Sequence, residues 1–139
     1  MADFGNTTIF GMLLLSAWAG AMALVGATRR QASLVHAARV ASYAVAGMAT
    51  LSILVLSYSF AASDFAIEYV QKYSDRGMPM FYKLTAVWGG QSGSLLFWAW
   101  LLAMLTAMAV HINRRKLGEI MPWFIAILMG VMVFFCVLM

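Results

Sequence analysis

Charged residues are scarce in this sequence. Nine Lys or Arg and five Asp or Glu make up 10% of the 139 residues, whereas a soluble domain carries about 25% charged residues. Hydrophobic residues account for 64% of the chain, and this surplus of apolar surface requires lipid or a large partner. The shortage of charge therefore argues against an ordinary soluble domain and favours an integral membrane protein.

Cysteine and clustered metal ligands are also lacking. The single cysteine, Cys136, lies inside an apolar run, so the chain cannot form an internal disulfide or a thiolate metal site. His36 and His111 both lie near basic residues, without the spacing of a zinc site. No paired acid or Ser/His/Asp set is visible, which leaves open whether the chain is itself an enzyme. The apolar runs contain no buried ionisable residue of the kind that marks an ion pathway, since His111 is expected at the cytoplasmic surface.

Four uncharged stretches are long enough to cross a membrane, which takes about 20 helical residues. They predict an all-α integral membrane protein of four transmembrane helices in one membrane domain, 1–139. The predicted helices span about 8–27, 41–60, 94–113 and 121–139. No Lys or Arg precedes the first run, unlike in a cleaved signal peptide, so we expect it to stay as a transmembrane helix.

Basic residues predict how the chain is oriented. They flank the first and third connections, at Arg29, Arg30, Arg39, Arg114, Arg115 and Lys116. The positive-inside rule places both connections in the cytoplasm. Both termini and the loop 61–93 are then periplasmic. The net charge of +4 is explained by this topology, so we expect no nucleic-acid partner.

The periplasmic loop contains a segment, 64–73, whose pattern fits two structures. Phe65, Tyr69 and Tyr73 recur at helical spacing, whereas Phe65, Ile67 and Tyr69 alternate as in a strand. The sequence does not decide between them.

The third apolar segment is too long for one membrane helix. Residues 84–113 would form a helix of about 45 Å, against a hydrocarbon core of about 30 Å. Gly89, Gly90 and Gly93 would each weaken a helix by about 1 kcal/mol. Ser92 and Ser94 are suitable N-caps. We therefore expect a Gly-rich break at the outer surface and a transmembrane helix that begins near Ser94.

The glycines of this break fit two roles. Backbone N–H groups at a helix N-terminus attract anions such as carboxylates, so the break can face a ligand. Small residues also let membrane helices pack closely, so the same glycines can be packing contacts. Trp98 and Trp100, which follow the break, are too deep for the interface and are expected to pack between helices, with another helix or a flat cofactor as their partner.

The stretch from Phe81 to Trp98, FYKLTAVWGGQSGSLLFW, resembles the N-terminal signature of CcmF-type cytochrome c haem lyases and their NrfE-like relatives. The resemblance runs over about Phe4 to Met139. It implies a multi-pass protein of the bacterial cell inner membrane. Such a protein takes haem from a periplasmic haem chaperone and attaches it to the Cys-x-x-Cys-His motif of apocytochrome c.

Two departures limit what the resemblance implies. Family members commonly read Trp-Gly-x-His-Glu-Gly-Ser, where this chain has Gln91 and Ser92 at the His and Glu positions. The family's tryptophan-rich segment and haem-ligating histidines have no counterpart here. We expect the chain to be the N-terminal part of a larger lyase, with haem in the complete protein and none bound by this chain alone. Its expected partners are the remaining part of the lyase, the haem chaperone, apocytochrome c and lipid.

The resemblance makes the outer-surface break the candidate site, with a role in shaping and contacting a haem-delivery or docking surface. No catalytic or metal-ligating residue is assigned. The candidate cofactor-binding or partner-facing residues are Tyr82, Trp88, Gly89, Gly90, Gln91, Ser92, Gly93 and Ser94.

Two other functions fit the residues. A non-catalytic structural subunit of a respiratory or transport complex would use the glycines as packing contacts. Half of a transporter with a discontinuous helix would place the break near the middle of the bilayer.

The predicted topology can be tested with reporter fusions at residue 70. We expect a reporter that is active only in the periplasm to be active there, because the loop 61–93 has mixed charge and both basic connections face the cytoplasm. Activity of a cytoplasmic reporter at residue 70 would contradict the topology.

Overall fold

The computed structural model describes residues 2–62, 68–73, 77, 79–87, 89–113 and 118–139. These residues form helices and turns, with no strand among them. The helices are α1 (Ala2–Arg29), α2 (Ala32–Ala61), α3 (Glu68–Tyr73), α4 (Met80–Ala86), α5 (Gln91–Asn113) and α6 (Met121–Leu138). Within the described residues, α1, α2, α5 and α6 are long and apolar enough to span a membrane. The predicted all-α protein with four transmembrane helices is confirmed.

The four long helices form an antiparallel bundle. α1 packs against α2 and α6, and α5 packs against the same two helices. α2 and α6 also touch across the bundle. The short helices α3 and α4 lie in the predicted periplasmic loop. α3 makes the end of the ambiguous segment helical, and residues 63–67 lie outside the described part.

Small residues on three helices meet large residues on the fourth in the core. α6 contributes Met121, Ile125, Met129, Met132 and Cys136. Its neighbours contribute mostly alanine, at Ala19, Ala23, Ala38, Ala41, Ala46, Ala49, Ala99 and Ala103. Alanine brings the helix backbones close together, which is how membrane helices gain packing energy. The flexible methionines then fill the space between them.

Gly20 marks the close approach of α1 to α6. A Cβ atom at Gly20 would lie 3.5 Å from Met129 Cβ and 3.8 Å from the Ala126 carbonyl oxygen. The second atom belongs to the α6 backbone. The two helices are therefore in near backbone contact at this level.

Buried hydroxyl groups in the spans bond to their own helices. Ser16 Oγ donates to the Met12 carbonyl at 2.6 Å, and Thr106 Oγ1 donates to the Leu102 carbonyl at 2.6 Å. Ser52 and Ser59 donate to carbonyls four residues earlier in the same way. Each hydroxyl is thus satisfied without a second helix, which lets polar residues lie inside an apolar bundle.

The turn between α1 and α2 is very tight. Arg30 has a φ of 51°, in the left-handed region that glycine usually occupies at the end of a helix. The Gln31 N–H donates to the Gly26 carbonyl at 3.1 Å, which completes a Schellman motif. Gly26 leaves room for α2, since a Cβ there would lie 2.9 Å from Val35 Cγ2.

The bundle has two distinct ends. We call the end that holds the α1–α2 turn and the start of α6 the basic end, because Arg29, Arg30 and Arg39 lie there. We call the opposite end, with the end of α2, with α3 and α4 and with the start of α5, the glycine end. Which end faces the periplasm stays a prediction from the positive-inside rule.

The strain at Arg30 can be measured by a comparison with its neighbour. Arg30→Gly should relieve a left-handed conformation that costs about 1–2 kcal/mol, whereas Arg29→Gly places glycine in a helix at a cost of about 1 kcal/mol. Each variant loses one positive charge. We expect Arg30→Gly to be the more stable by about 2 kcal/mol in the free energy of unfolding in detergent. Equal stabilities would contradict the turn geometry.

Candidate functional site

The Gly-rich break lies between α4 and α5. α4 ends at Ala86, and the Gly89 N–H donates to the Ala86 carbonyl at 3.1 Å, which closes a turn. The Gly90 carbonyl accepts the Ser94 N–H at 2.9 Å, the first hydrogen bond of α5. Trp88 lies outside the described residues. The predicted break before the third membrane helix is confirmed by the non-helical backbone at Val87, Gly89 and Gly90.

α5 begins three residues earlier than expected, at Gln91 and not near Ser94. Ser92 and Ser94 therefore lie in the first turn and are not its N-caps. Gly93 is buried in this first turn. α5 has 23 residues, or about 35 Å of helix, which matches the membrane without a second break.

A small apolar cluster holds the break in place. Phe60 at the end of α2, Val70 in α3 and Val87 in the break are almost fully buried together. Leu56 and Ala86 pack against them. These residues carry no distinctive sequence signal, because nothing in the pattern around Val70 and Val87 marks them as partners of Phe60.

The candidate residues divide into an inward and an outward set. Gly90 and Gly93 are buried, and Ser94 is half-buried. Tyr82, Gly89, Gln91 and Ser92 are exposed. The inward glycines suit the packing role of small residues, whereas the outward polar groups face away from the bundle. The stretch thus has a buried set and an exposed set of residues, and the two expected roles would fall to different sets.

The exposed set offers hydrogen bonds and apolar contact. Tyr82 brings a phenol and a ring that lies edge-on to Phe81, with centroids 5.8 Å apart. Gln91 and Ser92 bring an amide and a hydroxyl. α5 has no acidic residue in its first turn, and the first N–H groups of a helix have no partner within it. The surface is thus suited to contacting a neutral or anionic group.

No histidine lies at this end within the described chain. His36 and His111 are both exposed and lie toward the basic end, where the His111 ring faces Tyr43 at 6.4 Å. Among the described residues, no group of three His, Cys, Asp or Glu side chains is close enough to hold a metal ion. The described groups at the glycine end offer hydrogen bonds and apolar contact.

The two tryptophans of α5 behave differently. Trp100 is half-buried, and its Nε1 donates to Thr50 Oγ1 of α2 at 3.1 Å. Trp98 is 56% exposed on the outer surface of the four helices. The expectation that both pack between helices is correct for Trp100 and wrong for Trp98 within this chain.

The position of the break also bears on a transporter function. A discontinuous transport helix is broken near the middle of the bilayer. Here Val87 lies against Phe60, the penultimate residue of α2. The break is therefore at the end of the bundle. A transporter of this kind would need it near the middle.

Comparisons with known proteins relate the chain to one group. No family model matches it. It is 41% identical over 110 residues to the cytochrome c-type biogenesis protein NrfE of Haemophilus influenzae, covering 77% of this chain and 17% of that protein. It is 33% identical over 128 residues to the cytochrome c-type biogenesis protein CcmF of Pseudomonas aeruginosa, covering 92% of this chain and 19% of that protein.

A solved structure agrees. The cytochrome c haem lyase CcmF superposes with a TM-score of 0.88 at 25% sequence identity, covering 97% of this chain and 23% of that one. The chain spans less than a fifth of the length of the curated relatives it matches.

The fold defines the chain as a multi-pass membrane region of four spanning helices. Its relationship is then specific: the chain is a homologue of one part of the CcmF and NrfE cytochrome c-type biogenesis proteins. The relationship predicted from the motif between Phe81 and Trp98 is confirmed.

The role of the apolar cluster can be tested with Phe60→Ala. Removing this ring leaves a cavity beneath Val70 and Val87 and should destabilise their packing by about 3–5 kcal/mol. We expect amides 68–73 and 80–87 to lose protection from hydrogen exchange while the middle of α1 keeps its own. Tyr58→Ala, at a residue 65% exposed on the same helix, is the matched control. Unchanged exchange in α3 after Phe60→Ala would contradict the cluster.

Proposed function

We propose that the chain acts in cytochrome c-type biogenesis as the N-terminal part of a haem lyase, helping to deliver haem to apocytochrome c. The observation that carries this proposal is the homology to CcmF and NrfE over most of the chain, joined to a structural match at TM-score 0.88. Its partners in this function are the remaining part of the lyase, a periplasmic haem chaperone and apocytochrome c. The corresponding location is the bacterial cell inner membrane.

The site proposed for this role is the outward face of the glycine end. Tyr82, Gly89, Gln91 and Ser92 are exposed there, next to the start of α5. A porphyrin carries a flat apolar ring and carboxylate groups. Aromatic side chains suit the ring, and helix N-terminal N–H groups suit carboxylates. We include Trp88 in the proposed site because of its position in the sequence, next to Gly89.

Gln91 and Ser92 define what this surface contributes. Neither can ligate iron as an imidazole does, and neither titrates near neutral pH. We propose that the residues position haem or a docking partner by contact and hydrogen bonding. Iron ligation and the chemistry of attachment then belong to other parts of the lyase.

Gly90 and Gly93 shape this surface from beneath. Both are buried, so a large side chain at either position must displace a neighbouring helix or the first turn of α5. Overpacking of this kind costs about 1–3 kcal/mol. It would move Gln91 and Ser92 without removing them.

The proposal is tested by Gly90→Leu and Gly93→Leu in a bacterial strain that depends on this protein for cytochrome c maturation. We expect each variant to lower the yield of holocytochrome c at least severalfold, because the site is misplaced. The measurement is haem-stained c-type cytochrome at equal amounts of membrane-inserted protein.

Gly130→Leu is the matched control. Gly130 is exposed on α6, with no atom within 4 Å of a Cβ built there, so leucine should be accommodated and the yield retained. A normal yield from both glycine-end variants would count against the site. A normal yield from a strain that lacks the protein altogether would refute the proposed function.

A further inference from the structure

A groove opens at the basic end, between the α1–α2 turn and the start of α6. Its volume is about 630 Å³, and Arg30, Gln31, Arg39, Glu119 and Trp123 lie along its walls. Pockets of about 300–1,000 Å³ are the size that holds small molecules. The groove lies at the far end of the bundle from the proposed haem-handling surface.

Arg39 is incompletely satisfied in this groove. Among the buried side-chain nitrogen and oxygen atoms of the described residues, Arg39 Nε is the one without a hydrogen-bond partner. A guanidinium is always charged, and a buried charged donor without an acceptor is costly. The Arg39 guanidinium is therefore a partly desolvated positive charge beside the groove, and a nearby anion would stabilise it.

The balance of charge in the groove also favours an anion. Arg30 and Arg39 contribute two positive charges, and Glu119 contributes one negative charge at the opposite wall. No ion pair joins these three side chains in the part of the chain that the structure describes. Planar guanidinium groups are well matched to phosphate oxygens.

The depth of the groove corresponds to the lipid headgroups. α6 has 18 residues, or about 27 Å of helix, close to the thickness of the hydrocarbon core. Its first turn therefore lies near one membrane surface. Trp123 in that turn is 47% exposed and Ile120 before it is 64% exposed, as expected at an interface where amphipathic rings are enriched.

We propose that this groove binds the phosphate of an anionic phospholipid. Arg39 and Arg30 contribute two guanidinium charges beside the phosphate, and Trp123 with Ile120 contacts the first part of an acyl chain. Basic pockets between membrane helices commonly take such headgroups. This binding site is independent of the proposed role in cytochrome c biogenesis.

A lipid fits the groove better than a free phosphate ion. The volume exceeds what one phosphate fills, and the exposed walls near Ile120 and Trp123 are apolar. An inorganic ion would leave those walls in contact with water. The shared chemistry is a phosphate oxygen on a guanidinium, so the test must separate the two sources.

Native mass spectrometry of the chain in detergent separates them with three probes: dioleoyl phosphatidylglycerol, dioleoyl phosphatidylcholine and inorganic phosphate. We expect phosphatidylglycerol to be retained over both others. Arg39→Gln should weaken its binding about fivefold, the effect of losing one basic contact to an anionic headgroup. Arg29→Gln is the matched control, because Arg29 is exposed at the same end but does not line the groove.

Equal losses from Arg39→Gln and Arg29→Gln would overturn the groove as the site, since the effect would then be general charge. Equal retention of phosphatidylcholine, or retention of inorganic phosphate alone, would overturn the anionic lipid as its occupant. If Arg39→Gln does not fold, Glu119→Gln provides a second test of phosphatidylglycerol binding. It removes a repelling carboxylate from an exposed position and should strengthen phosphatidylglycerol binding about fivefold. Unchanged binding by that variant would also count against the proposal.

Discussion

The close approach of α6 to the alanine faces of its neighbours is the contact on which the rest of the structure depends. Lipid tails are as apolar as the side chains, so burial from water cannot drive these helices together. Packing contacts must do so instead. Ala19 and Ala23 of α1 lie fully buried in the same core as Ile125 and Met129 of α6. The alignment of the four helices, and with it the placing of both polar ends, follows from this fit.

Membrane immersion also explains where irregular backbone is found. A backbone polar group without a partner is costly in hydrocarbon, and within the described residues non-helical backbone is confined to the ends of the bundle. Buried hydroxyls follow the same rule by bonding to their own helices, as Ser16 and Thr106 do. The bond from Trp100 to Thr50 is different, because it joins α5 to α2. This hydrogen bond constrains the relative orientation of two helices whose other contacts are apolar.

Much of the fold could be predicted from the sequence, because lipid thickness converts directly into a length of apolar helix. The four spans and the Gly-rich break before the third were predicted for that reason. The ends of the helices were harder to predict. α2 runs from Ala32 to Ala61, well beyond the predicted 41–60, since hydropathy reports immersion in lipid and not the end of hydrogen bonding. Gly93 was likewise expected to lie outside α5 but is part of its first turn.

Which side of each helix is buried was the property that the sequence predicted least well. A helix that is apolar on all sides gives no periodic signal of which side is buried, so Trp98 and Trp100 could not be separated by sequence. The same difficulty hid the cluster of Phe60, Val70 and Val87, since apolar residues near a membrane surface have several possible partners. The candidate site itself was visible, because three glycines and three polar residues interrupt an apolar segment. Its division into an inward and an outward set required coordinates.

The two clusters of buried residues give the molecule unequal ends. The bundle core extends along all four long helices, whereas the glycine end is joined to it by a small cluster of three almost fully buried side chains. Elements with few buried apolar contacts open at a lower free energy than the core around them. The start of α5 nevertheless continues directly into a packed helix, so Gln91 and Ser92 keep a rigid base while α3 and α4 beside them are held less tightly. The two parts of the glycine end therefore differ in how firmly they are joined to the membrane bundle.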